Sequence, residues 1–281
     1  MVFLTGTLTW EDFFAWKYNN DVNNIAYHEL HVRWYQWGAF QPIMRSHNSS
    51  PVAVEIYQFG DKGDWAYDAL EKYTHLRYRL LPYLYSTTWE VTNKAGSIIR
   101  PLVMDFPKDK KVLDMDTEYM FGRSFLVRPV TDSLYTWQDK KQNGYQKNMR
   151  KIEKTDVYLP EGSNWFDFWT GAKLAGGQTI QREVPIDIMP VYIRAGSIIP
   201  WGPAVQYATE KVGMTWRFVF IRVLMQLLFF MRMRTTITIM KREFILLSLS
   251  VGMIVTVLCT SATVKEDIPE CWKRGSSKLF S

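Results

Sequence analysis

The chain has 281 residues, of which 47% are hydrophobic, and a formal net charge of +6. Its length predicts one large domain or two modest ones. Residues 212–281 hold ten Lys and Arg against four Asp and Glu and carry the whole net charge, which argues against a nucleic-acid-binding surface in residues 1–211. Both cysteines, Cys259 and Cys271, also lie in that tail, so residues 1–211 can form neither a disulfide framework nor a thiolate metal site.

The first strongly patterned segment is Glu29–His47. Apolar residues recur there at a three-to-four spacing that predicts a helix with one apolar face: Leu30, Trp34, Trp37 and Phe40. After a break at Gly38, the apolar run Phe40–Met44 predicts a short buried strand. A helix followed by such a strand is a unit of a (β/α) barrel, in which strand ends carry the active site. Arg45 and His47 are therefore candidate functional residues, although a structural histidine and a salt-bridge arginine also fit the spacing.

The next segment, Asp61–Ala95, is predicted to be a long helix with an Asp61 N-cap, a kink at Pro82 and an end at Gly96. From Ser97 to Pro203 the apolar residues recur with a period of two, which predicts an antiparallel β-sandwich. The expected strands include Ile98–Val103, Phe125–Val130, Asp156–Leu159 and Val191–Ile193. The acidic cluster 114–118 lacks the glycine and terminal glutamate of a calcium loop, so no metal site is predicted there.

Several motifs in one order resemble glycoside hydrolase family 31, which comprises retaining α-glucosidases and α-xylosidases. The first is R-W-x-Q-x-G-A-F-x-P-I-x-R-x-H at residues 33–47, followed by Asn48 where the family usually has glycine. The others, in chain order, are Tyr73–Tyr85, Glu118–Gly122, Phe125–Val130, Val157–Gly162, Trp165–Gly171 and Pro190–Pro200. The resemblance covers about residues 25–211.

The resemblance implies an α/β plus all-β fold, with the incomplete C-terminal end of a (β/α)8 TIM barrel followed by an antiparallel β-sandwich. The barrel units would occupy residues 15–96 and the proximal sandwich domain residues 97–205. Residues 1–14 and 206–281 do not fit the family pattern as they stand. We interpret them as out-of-frame remnants, the second of the family's distal β domain.

The interpretation of these two segments as out-of-frame remnants comes from writing plausible codons for them and reading the codons one base earlier. The stretch Met225–Glu243 can then encode an acidic, tyrosine-rich motif that resembles the distal β domain. The stretch Gly6–Phe14 can encode W-N-T-D-M-G-G-F, which resembles a barrel-strand motif of the family. One-base differences near codons 13 and 211 of the DNA are therefore expected. The competing interpretation is a membrane anchor at Phe244–Val264, a nearly uncharged run of spanning length.

The resemblance implies a retaining α-glycosidase that hydrolyses terminal α-linked glucosyl or xylosyl residues of oligosaccharides, without a cofactor. His47 would bind sugar hydroxyls in the −1 subsite, and Arg45 would order the pocket or brace a carboxylate. The motifs that supply the nucleophile and the acid/base in the family do not occur in these 281 residues, so we predict no catalytic residue and no activity for this chain alone. The complete enzyme is expected to be bacterial and exported or periplasmic, with its export signal upstream.

Two other functions remain open at this stage. A non-catalytic carbohydrate-binding module would hold sugars on exposed tryptophans of the sandwich, although Trp165 and Trp169 lie in a motif of structural type. A membrane-anchored protein would use the apolar tail. The expected partner of the glycosidase and of the carbohydrate-binding module is an oligosaccharide. No nucleic-acid partner is expected for any of the three functions.

Overall fold

The computed structural model describes residues 24–46, 55–139, 141, 144–208 and 210, together with the backbone of four short strands farther along the chain. The predictions for residues 1–23, for His47 and for most of the tail from 211 onward lie outside that part. Contacts divide the chain into two compact units, Met1–Arg77 with Ile98–Ile193 and Tyr78–Ser97 with Arg194–Ser281. Among the helices described, none combines the length and hydropathy that a membrane span requires.

The first helix, α1, spans Ile25–Gly38 and begins at Asn24, whose side chain accepts a hydrogen bond from the Ala26 N–H at 3.0 Å. The predicted apolar face is only half-buried along the helix, at Leu30, Trp34 and Trp37. The buried face instead includes three polar residues that are each less than 7% exposed: Glu29, Arg33 and Gln36. The spacing therefore predicted the helix correctly but gave no sign that polar residues would be buried on it, which is possible because these side chains have hydrogen-bond partners in the sandwich.

The predicted strand Phe40–Met44 is not a strand. Phe40 and Gln41 are fully or nearly buried and continue from α1 as a hydrogen-bonded turn, with Phe40 N bonded to Trp37 O at 3.0 Å. In a strand, consecutive carbonyls point to opposite sides. Here the carbonyls of Gln41 and Pro42 both accept from one guanidinium, that of Arg77, so the backbone cannot be extended at that point.

The long helix α2 spans Trp65–Lys94 and begins four residues later than predicted. The reason is a turn before it, closed by Asp64 N bonding Asp61 O at 2.9 Å. The carboxylates of Asp64 and Asp68 accept from backbone N–H groups in this turn, at 2.8 and 3.0 Å. These acidic side chains therefore fasten the preceding turn to the start of the helix.

The helix α2 continues through Pro82. Because proline has no N–H, the helix loses one backbone hydrogen bond there. Gly202 N donates to the carbonyl of Arg79 at 2.8 Å, next to this break. A Cβ at Gly202 would lie 3.3 Å from the carbonyl oxygens of Tyr78 and Arg79 and 3.4 Å from Pro82 Cδ, so the approach favours glycine.

The residues after α2 form the predicted antiparallel sandwich. Its strands are β1 Ile99–Pro101, β2 Tyr119–Phe121, β3 Phe125–Val127, β4 Thr136–Asp139, β5 Gly144–Lys147, β6 Lys154–Leu159, β7 Asn164–Asp167, β8 Lys173–Ala175, β9 Gln178–Glu183 and β10 Val191–Arg194. One sheet has the order β1-β2-β3-β10-β7-β8, while β6 pairs with β9 and β4 with β5. A short helix, α3, spans Leu102–Asp105 between β1 and β2.

The core of the sandwich contains side chains from both sheets. The six-stranded sheet contributes Met120, Leu126, Trp165 and Tyr192, and β6 contributes Val157, Tyr158 and Leu159. Leu102 and Phe106 pack into the same cluster from α3 and the residue after it. Because three consecutive residues of β6 are buried here, this part of the strand reads as a continuous apolar run and does not alternate with a period of two.

The second unit contains further strands after β10. They are β11 Ile198–Trp201, β12 Trp216–Phe220, β13 Leu228–Met231, β14 Arg242–Ile245 and β15 Val255–Cys259. The backbones of β11, β12 and β15 form an antiparallel sheet, and β13 pairs with β14. The proposed membrane anchor Phe244–Val264 and the proposed frame change near residue 211 lie largely outside the described residues and stay predictions.

Candidate functional site

The segment that leads to the candidate residue Arg45 is held by the guanidinium of Arg77 on α2. Its Nη1 donates to the carbonyls of Ala39 and Gln41, at 3.0 and 2.5 Å, and its Nη2 donates to that of Pro42 at 2.9 Å. Burial lowers the pKa of Arg77 to about 10, so the group stays charged at neutral pH. The guanidinium therefore acts as a fixed cation whose hydrogen-bond partners are carbonyl dipoles.

Tyr119, which lies on strand β2 of the sandwich, also binds this segment. Its hydroxyl donates to Phe40 O at 3.0 Å and accepts from Gln41 Nε2 at 3.1 Å. Burial raises the pKa of Tyr119, which keeps the phenol protonated and able to donate. The Phe40 ring also packs edge-on against Phe121 of the same strand, with ring centroids 5.8 Å apart.

Beyond this held segment, the chain reaches Arg45. Ile43, two residues earlier, is 56% exposed, and Arg45 is exposed as well. His47, the other predicted sugar-binding residue, lies outside the described part of the chain. The structure therefore does not test whether the two residues form one site. It does show that the backbone from Ala39 to Pro42 is fixed by two side chains that the sequence did not single out.

The carboxylate of Glu29 joins α1 to the loop before β4. Its Oε1 accepts from Leu134 N at 2.8 Å and from Tyr135 N at 3.0 Å. Its Oε2 accepts from Thr136 Oγ1 at 2.6 Å and from Ser133 Oγ at 3.3 Å. A buried carboxylate with this many donors is a satisfied structural anion, so Glu29 has no free oxygen to act as a catalytic group.

The loop between β9 and β10 is fastened to both helices by side chains. Arg33 donates to Val184 O and Ile188 O, both at 3.1 Å, and the other side chains that bond this loop are Gln36, Lys72 and Tyr73. Burial lowers the pKa of Arg33, and the charge of Glu29 opposes that shift. The end of the barrel and the sandwich are thus joined through buried polar contacts within one compact unit.

Glu118, before β2, is a buried carboxyl group whose pKa is raised. Its Oε1 accepts from Tyr158 N at 2.8 Å, while Oε2 has no hydrogen-bond partner among the described residues. Burial raises its pKa to about 7, and the Tyr158 N–H and the charges of Arg128 and Lys111 oppose that shift. The group is therefore close to half-protonated at neutral pH in the folded chain.

This raised pKa predicts a pH-dependent stability. Because the folded pKa is about 7 and the ordinary value is 4.5, the folded chain binds the proton more tightly than the unfolded chain. The free energy of unfolding should fall by about 3 kcal/mol as the pH rises from 4.5 to 7 and then level off. Urea denaturation of the wild type and Glu118→Gln at several pH values checks this. Equal pH dependence in both proteins would contradict the assignment.

Trp165 and Trp169 of the sandwich do not form an exposed sugar-stacking platform. Trp165 is fully buried, and its indole N–H donates to Pro160 O at 3.0 Å. Trp169 donates to Met189 O at 2.8 Å, and Lys72 Nζ lies 4.4 Å above its ring. Both residues have the structural role that their motif indicated.

Known proteins match this chain in two adjoining stretches. Residues 13–87 match the glycosyl hydrolases family 31 TIM-barrel domain, and residues 95–199 match the glycosyl hydrolase family 31 C-terminal domain. An α-xylosidase of Saccharolobus solfataricus is 39% identical over 175 residues, which are 62% of this chain and 21% of that protein. Human neutral α-glucosidase C is 37% identical over 175 residues, covering 61% of this chain and 17% of the relative.

Solved structures agree with the sequence matches. The α-xylosidase of Xanthomonas citri superposes with a TM-score of 0.58 at 40% identity, over 66% of this chain and 18% of that one. A dextranase of Flavobacterium johnsoniae complexed with isomaltotriose superposes with a TM-score of 0.57 at 34% identity. The match covers 68% of this chain and 21% of the dextranase. The barrel end and sandwich are thus those of a glycoside hydrolase. Within that class, the chain belongs to glycoside hydrolase family 31 and spans about a fifth of the length of these relatives.

Proposed function

We propose that this chain forms the sugar-contacting end of a retaining α-glycosidase that acts on terminal α-linked glucosyl or xylosyl residues. The supporting observation is the fixed segment from Ala39 to Pro42, which is followed in the sequence by Arg45 and by His47, the residue that the family resemblance assigns to the −1 subsite. The α-xylosidase and the α-glucosidase among the relatives support the same substrate class.

The two proposed site residues would serve different purposes. An imidazole can donate from one nitrogen and accept at the other, so His47 can bind two sugar hydroxyls at once. A guanidinium presents a planar set of donors that suits a carboxylate, so Arg45 is better placed to order the pocket than to touch the scissile bond.

We propose that this chain does not catalyse hydrolysis alone. A retaining glycosidase needs two carboxyl groups about 5 Å apart, one as nucleophile and one as acid/base. The family motifs that would carry these groups do not occur in the sequence. Glu29, Asp64 and Asp68 are engaged by backbone N–H groups instead. The proposed domain limits are residues 15–96 for the barrel units and 97–205 for the sandwich.

Sugar binding by the full chain tests the proposal. The imidazole resonances of its four histidines can be followed by NMR while methyl α-D-xyloside or methyl α-D-glucoside is added. We expect the His47 resonance to shift, His47→Asn to weaken binding at least about tenfold, and His75→Asn, at an exposed position of α2, to leave it unchanged. No 4-nitrophenol should be released from aryl α-glycosides. Unweakened binding in His47→Asn, or turnover that His47→Ala abolishes, would contradict the proposal.

A further inference from the structure

The segment between α1 and Arg45 has an uncommon hydrogen-bond arrangement. One guanidinium binds three of four neighbouring carbonyls, those of Ala39, Gln41 and Pro42, and Tyr119 binds the remaining one, that of Phe40. Turn carbonyls of this kind are normally bonded by backbone N–H groups or water. Here two side chains from different elements supply all four partners, so the course of the backbone depends on them.

We propose that Arg77 and Tyr119 are positioning residues that set the direction in which this segment presents Arg45 to the proposed sugar pocket. The inference rests on the proposed function, because it names what holds that site. Only two residues separate Pro42 from Arg45, so the Arg45 backbone lies within about 10 Å of a fixed point. A change in backbone direction at Pro42 therefore carries directly to the proposed binding residue.

The chemistry of Arg77 suits this role. Its planar fork can bond several carbonyls at fixed angles, whereas the ammonium of lysine is a compact charge with freely rotating donors. The two nitrogens used by Arg77 point at carbonyls that a strand would turn to opposite sides. Arg77→Lys should therefore keep the charge and lose the directional constraint.

Tyr119 provides an independent variant with a small change in volume. Tyr119→Phe removes the hydroxyl that donates to Phe40 O and accepts from Gln41 Nε2. The ring remains, so the packing of β2 is preserved.

Arg79 is the matched control for Arg77, since it lies two residues along the same helix and its guanidinium has no hydrogen bond or ion pair within the described residues.

The experiment measures two properties of the full chain in Arg77→Met, Arg77→Lys, Tyr119→Phe and Arg79→Met. Hydrogen exchange with mass spectrometry follows the peptide that covers residues 38–46. Ligand-observed NMR gives the affinity for methyl α-D-xyloside and methyl α-D-glucoside. Arg77→Met should speed exchange in that peptide and weaken sugar binding, each by about tenfold, with Arg77→Lys and Tyr119→Phe in between and Arg79→Met unchanged.

The two measurements, hydrogen exchange and sugar affinity, test the positioning role of Arg77 and Tyr119 separately from the proposed function. Faster local exchange with weaker sugar binding, while peptides of α1 and β6 keep their exchange rates, supports the positioning role. Unchanged exchange in residues 38–46, or sugar affinity that persists when exchange there is faster, overturns it. Absence of sugar binding by the wild-type chain contradicts the proposed function, and the exchange arm then still decides whether Arg77 and Tyr119 fix the segment.

Discussion

Glu29→Ala is expected to lower the free energy of unfolding by about 4 kcal/mol, because it removes the acceptor of a buried hydroxyl and of two backbone N–H groups, one buried and one half-buried, at once. Leu134 N and Tyr135 N both donate to Glu29 Oε1, at 2.8 and 3.0 Å. Thr136 Oγ1 donates to Oε2 at 2.6 Å, and Glu29 is only 1% exposed. Each donor left buried without an acceptor costs about 1–3 kcal/mol, so the losses add to a large fraction of the stability of a domain.

Two further variants separate this effect from a general loss of charge. Glu29→Gln keeps one oxygen for the two backbone donors, and its amide nitrogen can donate to the hydroxyl of Thr136, so we expect a loss of only about 1–2 kcal/mol. Glu183 is half-exposed and lies 3.8 Å from Lys154, so Glu183→Ala should change stability by less than about 1 kcal/mol. Urea denaturation of the three variants gives the ranking. Similar losses in Glu29→Ala and Glu183→Ala would show that the buried carboxylate is not structural.

The sandwich was predictable because its signal is local. Short apolar runs bounded by Pro, Gly and Asp indicated strands at Phe125–Val130 and Asp156–Leu159, which the structure contains in part or in full. The second run is apolar because Val157, Tyr158 and Leu159 are all buried in the core of the sandwich. The family motifs then identified the same region independently, and the match over residues 95–199 confirmed it.

The buried face of α1 was not predictable by the same logic. The spacing rule assumes that polar residues face solvent, yet Glu29 and Arg33 are buried. Their backbone partners belong to residues 134–135 and 184–188, more than 100 positions away in the sequence. A backbone N–H or carbonyl has the same chemistry in every residue, so such a contact leaves no trace in the residue pattern. The presence of Glu and Arg four positions apart in an aromatic-rich helix was the only available hint.

The predicted strand Phe40–Met44 failed for a related reason. Its apolar composition correctly indicated burial at Phe40, but the backbone conformation is decided by Arg77, which lies 35 residues beyond Pro42. Pro42 carried some information against a central strand, since it has no N–H for a ladder. A half-buried guanidinium that bonds two consecutive carbonyls outweighs the preference of an apolar run for extended structure.

Trp165→Ala is expected to lower the free energy of unfolding by about 4 kcal/mol, through a cavity in the core of the sandwich. Trp165 on β7 is fully buried and packs against Phe106, with ring centroids 5.7 Å apart. The substitution also leaves the carbonyl of Pro160 without the indole N–H that binds it at 3.0 Å. Thermal and urea denaturation, followed by far-UV circular dichroism, measure the loss.

Trp137 is the matched control for this prediction, because it is the same residue type on a strand of the same domain but is 48% exposed. Trp137→Ala should cost less than about 1 kcal/mol, since little packing is lost when half of a side chain already faces solvent. Trp165→Phe fills most of the cavity and removes only the indole donor, so its cost should lie between the two. Equal losses in Trp165→Ala and Trp137→Ala would contradict the assignment of Trp165 to the core. A large loss in Trp165→Ala alone would show that the tryptophan of this family motif supports the sandwich through packing, and that its side chain is unavailable to a sugar.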